Sequence, residues 1–251
     1  MLAERGQFHV IIGARNSELG RAAVESLNSC NNGSTYELLC LDVADQSSVE
    51  SAVNELRTKH SKLDILIHNA GVMYTEHSQT ATDTIIRNTI ETNFFGSLRI
   101  LKHFTPLLRS GGRIVTVSST EGQTALRKMS ADLRDCFMSP DLTLQGLSNL
   151  INSFSESCKS GDWKQKGWPG ENPWEASYQV SKAGLTILSK IWANSLKDGV
   201  TINSCTPRLC RTDMTSHLVG VERSSREGAV TPVWLALHST TNGLYYKEMK
   251  L

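Results

Sequence analysis

The sequence has almost no net charge and no long apolar run, and each absence excludes a class of protein. It contains 26 basic and 25 acidic side chains in 251 residues, a formal net charge of +1. No basic field therefore predicts binding to nucleic acid or to an anionic membrane. No apolar run approaches the ~20 residues of a membrane span, and residues 1–7 lack the apolar core of a signal peptide. We expect neither nucleic acid nor a membrane as a partner.

The cysteines and histidines show no spacing that is typical of a metal site. The six cysteines are scattered and form neither a CxxC pair nor a cluster with histidine. Reduced thiols in a reducing compartment are the default for such a pattern, so we expect a cytoplasmic protein. The histidines are dispersed along the chain, and the sequence predicts no function for them and no metal site.

Short apolar runs alternate with helical patterns along the whole chain. Buried strands are predicted at residues 9–13, 36–41, 63–67, 112–117, 199–203 and 244–246. One helix is predicted to follow Ser17, which would cap it. Further helices are predicted to begin at 47–48, to run from 83 to 108 and to run from about 177 to 196, and residues 1–6 resemble the last turn of another helix. This alternation predicts an α/β fold with a doubly wound, Rossmann-like parallel sheet, formed by residues 1–251 as a single domain.

Small or polar residues follow five of the predicted strands directly. These clusters are Ala14-Arg15, Asp42-Val43, Asn69-Ala70-Gly71, Ser118-Ser119 and Pro207. In open parallel sheets, ligands bind outside the carboxyl ends of the strands. The sequence therefore predicts a ligand site built from these clusters.

Tyr178 and Lys182 are four residues apart on a predicted amphipathic helix, so they share a face. A lysine cation beside a phenol favours the phenolate, which predicts a lowered pKa for Tyr178. Such a tyrosine could exchange a proton near neutral pH. A surface Tyr–Lys pair without function is the alternative.

Motifs spread over nearly the whole chain resemble the short-chain dehydrogenase/reductase family. They are Asn69-Ala70-Gly71, Asn93 within Thr92–Gly96, Val117-Ser118-Ser119, Tyr178 with Lys182, and Pro207 through Thr212. The resemblance implies that Tyr178 is the proton donor, while Ser119, rather than Ser118, binds the carbonyl oxygen. It implies that Lys182 binds the nicotinamide ribose and that Asn93 holds a water linking this lysine to solvent.

The long stretch between Ser119 and Tyr178 is similar to that of the monomeric carbonyl reductase subgroup. In that subgroup a helical insertion, here at about 122–172, covers the face that other members use to form oligomers. The resemblance therefore implies a monomer. Trp163, Trp168 and Trp174 crowd this insertion and are predicted either to line an apolar substrate mouth or to pack in the core.

Charge at the first strand end indicates the cofactor. Arg15 stands where binders of the unphosphorylated dinucleotide carry a carboxylate, and an arginine can pair with a 2′-phosphate, so the sequence predicts NADPH. Asp42 and Val43 would flank the adenine, and the small Ala70-Gly71 pair would allow close backbone approach. The resemblance extends the predicted cofactor contacts to Asn69, Tyr178, Lys182, Pro207, Leu209 and Thr212.

The sequence departs from the family pattern at two places. The first strand and its T-G-x-x-x-G-x-G turn are not found, so we expect either an upstream segment of roughly twenty residues or a structural substitute. In the family this strand lies in the middle of the sheet, so without it two strands would lose a neighbour there. Arg208 replaces the glycine that usually follows Pro207, and could swing outward or obstruct the site. The predicted function is NADPH-dependent reduction of aldehydes, ketones or quinones. The alternative is a shortened, non-catalytic form that binds cofactor poorly and acts, if at all, through a protein partner.

Overall fold

The computed structural model describes residues 7–30, 33–75 and 78–250, which form alternating strands and helices. The strands are β1 (His9–Ala14), β2 (Thr35–Cys40), β3 (Leu63–His68), β4 (Leu108–Val117), β5 (Thr201–Thr206) and β6 (Tyr245–Lys247). The helices are α1 (Ser17–Asn28), α2 (Gln46–Lys59), α3 (Thr82–Ile90), α4 (Gly96–Phe104), α5 (Thr120–Lys128), α6 (Ala131–Met138), α7 (Leu144–Ser160), α8 (Pro173–Ala193), α9 (Ser225–Gly228) and α10 (Val230–His238). No helix in these ranges is both long and apolar enough to cross a membrane.

The strands pair in parallel throughout but fall into two groups. β1 pairs with β2, and β3, β4, β5 and β6 pair in that order. Within the described ranges β1 and β3 each have one strand neighbour only. The predicted parallel α/β architecture is confirmed, and so is the prediction that two strands lack a neighbour in the middle of the sheet.

A large cavity lies between these two unpaired strand edges. It has a volume of about 930 Å³, and it is lined by four residues of β1 and by all of β3. The same cavity reaches the loops that follow β1, β2 and β3. We call it the central cavity. It is wide enough to separate two strands that would otherwise pair at about 4.8 Å.

Helices pack on both faces of the four-stranded group. Ile114 and Ile202 belong to the main apolar cluster with α3, α7 and α8, whereas Val115 and Cys205 pack against α10 on the opposite face. Because successive side chains of a strand point to opposite faces, this alternation places one helical layer on each side. The doubly wound arrangement follows from it.

Several predicted boundaries are corrected by the structure. Asn16, not Ser17, caps α1, since its side chain accepts from the N–H groups of Glu18 and Leu19. α8 begins at Pro173 rather than near Ser177 and ends at Ala193 rather than near residue 196. The prediction for residues 1–6 lies outside the described residues.

The predicted long helix from 83 to 108 is interrupted. A π-helical segment, Glu91–Phe95, separates α3 from α4, and a 3₁₀ turn at Thr105–Leu107 leads into β4. Pro106 lacks the N–H that would continue an α-helix. The sequence predicts one continuous helix here because a π-helical turn contains only one extra residue and keeps most of the same side chains buried.

The region from 122 to 172 contains most of α5, all of α6 and α7, and the loop before α8. Trp168 is buried there and packs edge-on against Phe137 and Phe154, with ring centroids 6.1 and 5.4 Å away. Of its two predicted positions, the core is therefore the observed one. Three well-packed aromatic rings of this kind make the insertion part of the main core.

Candidate active site

Ser119 and Tyr178 come together at the carboxyl edge of the sheet. Ser119 follows β4 and caps α5, accepting from the N–H of Glu121 at 3.1 Å. The Tyr178 phenol on α8 lies close to this side chain, which lowers the pKa of the phenol. Ser118 faces elsewhere, since its hydroxyl donates to the Lys182 carbonyl oxygen at 3.0 Å. Of the two serines, only Ser119 is in contact with the tyrosine hydroxyl.

Close packing of α5 on α8 sets this geometry. A Cβ added at Gly122 would lie 2.7 Å from the backbone nitrogen of Ala183 and from the carbonyl carbon of Lys182. Real Cβ atoms do not approach backbone so closely, so a larger residue would push the helices apart. The Gln179 amide also donates to the Glu121 carboxylate at 2.9 Å, which ties the two helices at the level of the tyrosine.

Lys182 lies one helical turn from Tyr178 on the same face, as predicted. Its Nζ is buried, lies 5.8 Å from the centroid of the Tyr178 ring and donates to the Val117 carbonyl oxygen at 3.0 Å. Burial lowers the pKa of Lys182 to about 8, against a smaller rise from Cys205. An ammonium group held at this depth is expensive unless it has a functional partner.

The predicted lowering of the Tyr178 pKa is wrong for this structure. Burial raises the pKa of the phenol above its ordinary value, the hydrogen bond with Ser119 lowers it, and the Glu121 carboxylate raises it. Desolvation disfavours the phenolate, and Lys182 directs its Nζ to a backbone carbonyl rather than to the phenol oxygen. A spacing of four residues predicts a shared face but not the burial of that face.

Asn93 lies in the π-helical segment and joins the loop after β3 to α8. Its side chain accepts from the Val72 N–H at 2.8 Å and donates to the Val72 carbonyl at 2.9 Å and to the Ser181 hydroxyl at 3.1 Å. A Cβ on Gly71 would lie 3.2 Å from Asn93 Oδ1 and 3.3 Å from Lys182 Nζ. A larger residue would therefore be crowded at this position, where backbone, amide and ammonium converge.

His68, to which the sequence assigned no role, lies at the end of β3 beside this group. It is buried, and its Nε2 is 2.7 Å from the Ser97 hydroxyl. Burial and the charge of Lys182 lower the pKa of His68 to about 4. A neutral imidazole thus stands near the lysine. Its position immediately before Asn69 was the available signal, since the neighbouring clusters were already predicted to line the site.

Six of the residues predicted to bind the cofactor line the central cavity. They are Arg15, Asp42, Val43, Asn69, Ala70 and Gly71. The Arg15 side chain is exposed at its rim. One oxygen of Asp42 accepts from the Ala44 N–H at 2.9 Å, which fixes the carboxylate in its turn. The five clusters predicted after the strands all follow strand ends in the structure.

The segment after β5 lies away from the central cavity. Leu209 and Thr212 are exposed, and Thr212 begins a 3₁₀ turn. Arg208 has φ +62°, a left-handed conformation that glycine adopts more readily, and its guanidinium pairs with Glu248. Of the two predicted positions for this side chain, the outward one is observed, so the arginine does not fill the space beside Tyr178.

Comparison with known proteins places the chain in a family. A family model described as short chain dehydrogenase matches residues 1–131. Carbonyl reductase (NADPH) 1 of Bos taurus is 35% identical over 241 residues, covering 94% of this chain and 84% of the relative. The chain belongs to the short-chain dehydrogenase family. The corresponding protein of Homo sapiens is 35% identical over 233 residues, covering 91% of this chain and 81% of the relative.

Solved structures agree with this assignment of the short-chain dehydrogenase fold. Salutaridine reductase of Papaver somniferum has a TM-score of 0.82 over 96% of this chain and 100% of its own, at 23% identity. Menthone neomenthol reductase of Mentha piperita has a TM-score of 0.77 over 97% and 91%, at 27% identity. This short-chain dehydrogenase is thus similar in fold to reductases and in sequence to carbonyl reductases, which supports carbonyl reduction as its class of reaction.

Proposed function

We propose that this chain reduces aldehydes, ketones or quinones to alcohols with NADPH, and that Tyr178 supplies the proton. The observation that carries the proposal is the close approach of Ser119 and Tyr178, with the buried Lys182 one turn away. Ser119 also caps α5, but that role does not require a tyrosine beside it. Reduction also agrees with the 35% identity to carbonyl reductases.

The raised pKa of Tyr178 suits the reducing direction. A buried phenol keeps its proton at neutral pH, so it is ready to act as a general acid. Ser119 would donate a hydrogen bond to the carbonyl oxygen, where negative charge develops. As the oxygen takes the tyrosine proton, the nearby Lys182 ammonium would stabilise the phenolate that remains.

The described residues would suit both the nicotinamide end and the adenosine end of a dinucleotide. Gly71 leaves room against Lys182 and Asn93, where a Cβ would sit within 3.3 Å of both. Arg15 would pair with the 2′-phosphate, and Asp42 and Val43 would flank the adenine. When bound, NADPH supplies the hydride that no side chain can supply. In the described part of the chain, no glycine-rich turn lies between these two ends.

Replacing Tyr178 with phenylalanine tests the proton donor. We expect Tyr178→Phe to lower the rate of NADPH oxidation in the presence of a quinone or ketone by about 10²–10⁴-fold, the usual range for a general acid. Tyr246→Phe is the matched control, because its hydroxyl is hydrogen bonded to Thr241 at 2.8 Å in another part of the core. Retained turnover in Tyr178→Phe would reject the assignment.

The preference for NADPH depends on Arg15. Losing a charge-assisted contact of about 1.5–3 kcal/mol should weaken NADPH binding by roughly 10–100-fold in Arg15→Ala and leave NADH binding nearly unchanged. Arg21→Ala, exposed on α1, is the control for a general loss of positive charge. Equal losses for the two dinucleotides, measured by calorimetric titration, would reject the 2′-phosphate contact.

A monomeric state is proposed from the packing of the insertion. α7 lies on α8, and a Cβ on Gly184 would come within 2.8 Å of Phe94 and 2.9 Å of Ile151. This face of α8 is therefore covered by the chain's own residues. Light scattering at the mass of one chain, 27.7 kDa, is the expected result, and a stable dimer would contradict it. Residence in the cytoplasm stays a prediction from the cysteine pattern.

Protein binding without catalysis is the second candidate function. The observation that favours it is the pair of unpaired strand edges facing the central cavity. Unpaired edges readily take up another strand. A short apolar peptide flanked by lysines should then raise the melting temperature, while a proline-substituted peptide should not. The same stabilisation by both peptides would argue against strand addition.

A further inference from the structure

We propose that His9, Glu37 and His60 form a binding site for one divalent transition-metal ion, at the end of the sheet opposite the active site. His9 begins β1, Glu37 lies on β2, and His60 follows the last turn of α2. The two imidazoles and the carboxylate are drawn from three elements, and one ligand atom of each lies within 4.8 Å of the others.

The separations suit a small tetrahedral ion. Two ligands that each lie about 2.1 Å from tetrahedral Zn²⁺ are about 3.4 Å apart. Glu37 Oε1 lies 2.7 Å from His60 Nε2, and Glu37 Oε2 lies 3.7 Å from His9 Nε2, on either side of that value. Side-chain rotations that move the ligand atoms by about 1 Å would bring one oxygen of Glu37 and the two imidazole nitrogens to one ion. A water molecule would complete the fourth position, as in sites with two histidines and one glutamate.

Thr35 orients the His9 ring in the way that metal-binding histidines require. The Thr35 hydroxyl lies 2.7 Å from His9 Nδ1, so an Nδ1–H donating to it leaves Nε2, which is 3.7 Å from Glu37 Oε2, with the lone pair that a metal needs. Metal-binding histidines usually donate their second ring N–H to such a partner. This contact is independent of the cluster itself and has no role in the bond between Glu37 and His60.

Partial burial and ligand type also favour the site. The side chains of Glu37 and His60 are 27% and 23% exposed, so their ligand atoms are partly shielded from water. Imidazole nitrogen also favours Zn²⁺, Co²⁺ or Ni²⁺ over Mg²⁺.

The simpler explanation of this cluster is a hydrogen bond between Glu37 and His60 that His9 merely adjoins. That bond accounts for two of the three residues, and an ion pair between His9 and Glu37 at 3.7 Å would account for the third, so cobalt binding distinguishes the two explanations. A metal would connect the start of β1 to β2 and to the end of α2. These elements adjoin the central cavity, where β1 lacks a second strand neighbour within the described ranges.

Cobalt titration of the purified chain tests the proposal. We expect about one Co²⁺ per chain with the visible absorption of a tetrahedral ion, displaced by Zn²⁺ but not by Mg²⁺. His60→Gln and Glu37→Gln should each weaken Co²⁺ binding by at least about tenfold, and Thr35→Val by about tenfold. His238→Gln, an exposed histidine of α10, should bind as the parent does.

Two results would overturn the proposal. One is an unchanged Co²⁺ affinity in His60→Gln and Glu37→Gln, and the other is a thiolate charge-transfer band, which would assign the ion to the exposed Cys30 or Cys40 instead. Thr35 is exposed and β-branched, so Thr35→Val keeps the strand intact and remains informative if a ligand variant fails to fold. Circular dichroism of each variant before titration verifies folding.

Discussion

Replacing Lys182 with methionine should stabilise the fold while removing activity. The ammonium group is buried, and burial lowers its pKa from 10.5 to about 8. At about 1.36 kcal/mol per pH unit, this difference corresponds to a cost of roughly 3 kcal/mol for keeping the charge inside. Methionine has a similar length and no charge, so it fills the same space without that cost.

The gain is reduced by the hydrogen bond that the lysine makes. Lys182 Nζ donates to the Val117 carbonyl oxygen at 3.0 Å, and leaving a buried carbonyl without this partner costs about 1–3 kcal/mol. The net stabilisation expected for Lys182→Met at pH 7 is therefore about 1–2 kcal/mol. A residue placed for structure would show a loss instead, because functional sites are where stability is sacrificed.

The effect must also depend on pH in a defined direction. Below pH 8 the lysine is protonated in both folded and unfolded states, so the full cost applies. Between pH 8 and 10.5 the unfolded chain binds more protons than the folded chain, so the parent gains stability as pH rises. The advantage of Lys182→Met should thus shrink by about 2 kcal/mol between pH 7 and pH 9.5.

Urea unfolding of parent and variant at the two pH values measures this difference. Lys190→Met, exposed on the same helix, is the control and should show little change at either pH. A destabilised Lys182→Met at pH 7, or a difference that does not vary with pH, would refute the assignment of a costly buried charge. Turnover should be lost in Lys182→Met and retained in the control.

Three further changes test other parts of the structure. Because burial lowers the pKa of His68 from 6.5 to about 4, the unfolded chain takes up a proton before the folded chain does as pH falls. The free energy of unfolding should therefore fall by about 2 kcal/mol between pH 7 and pH 5. Urea unfolding of His68→Gln should show a weaker dependence of stability on pH. Gly122→Ala should separate Ser119 from Tyr178 and lower kcat by about 10²-fold in steady-state assays, since its Cβ would meet backbone at 2.7 Å; an unchanged kcat would contradict the close packing. Trp168→Ala should lose about 3–5 kcal/mol of unfolding free energy with an unchanged NADPH affinity, and a selective loss of affinity would place the ring at the cofactor instead.

The strands and the clusters of site residues that follow them could be predicted, because both depend on the local pattern of apolar and polar residues. The apolar runs that precede Asn69 and Ser119 are short and rich in β-branched residues, and the carboxyl ends of parallel strands lie at one edge of a sheet. The gap between β1 and β3 was also foreseen, since a glycine-rich turn and its strand could be searched for as a motif.

Features that depend on burial or on distant contacts were not predictable. The raised pKa of Tyr178 comes from desolvation, which a four-residue spacing with Lys182 does not report. The cluster of His9, Glu37 and His60 is dispersed in the sequence and is assembled by pairing of β1 with β2. The π-helical segment around Asn93 has no signature in apolar periodicity.

Titrating the purified 251-residue chain with NADPH, while following nicotinamide fluorescence, tests most directly whether these residues form a cofactor-dependent reductase. The residues along the central cavity and beside Lys182 predict a saturable signal with one NADPH per chain. Addition of a quinone or ketone to that complex should then remove the fluorescence as NADPH is oxidised. The absence of any saturable signal from a folded sample would contradict the proposed reductase function for this chain.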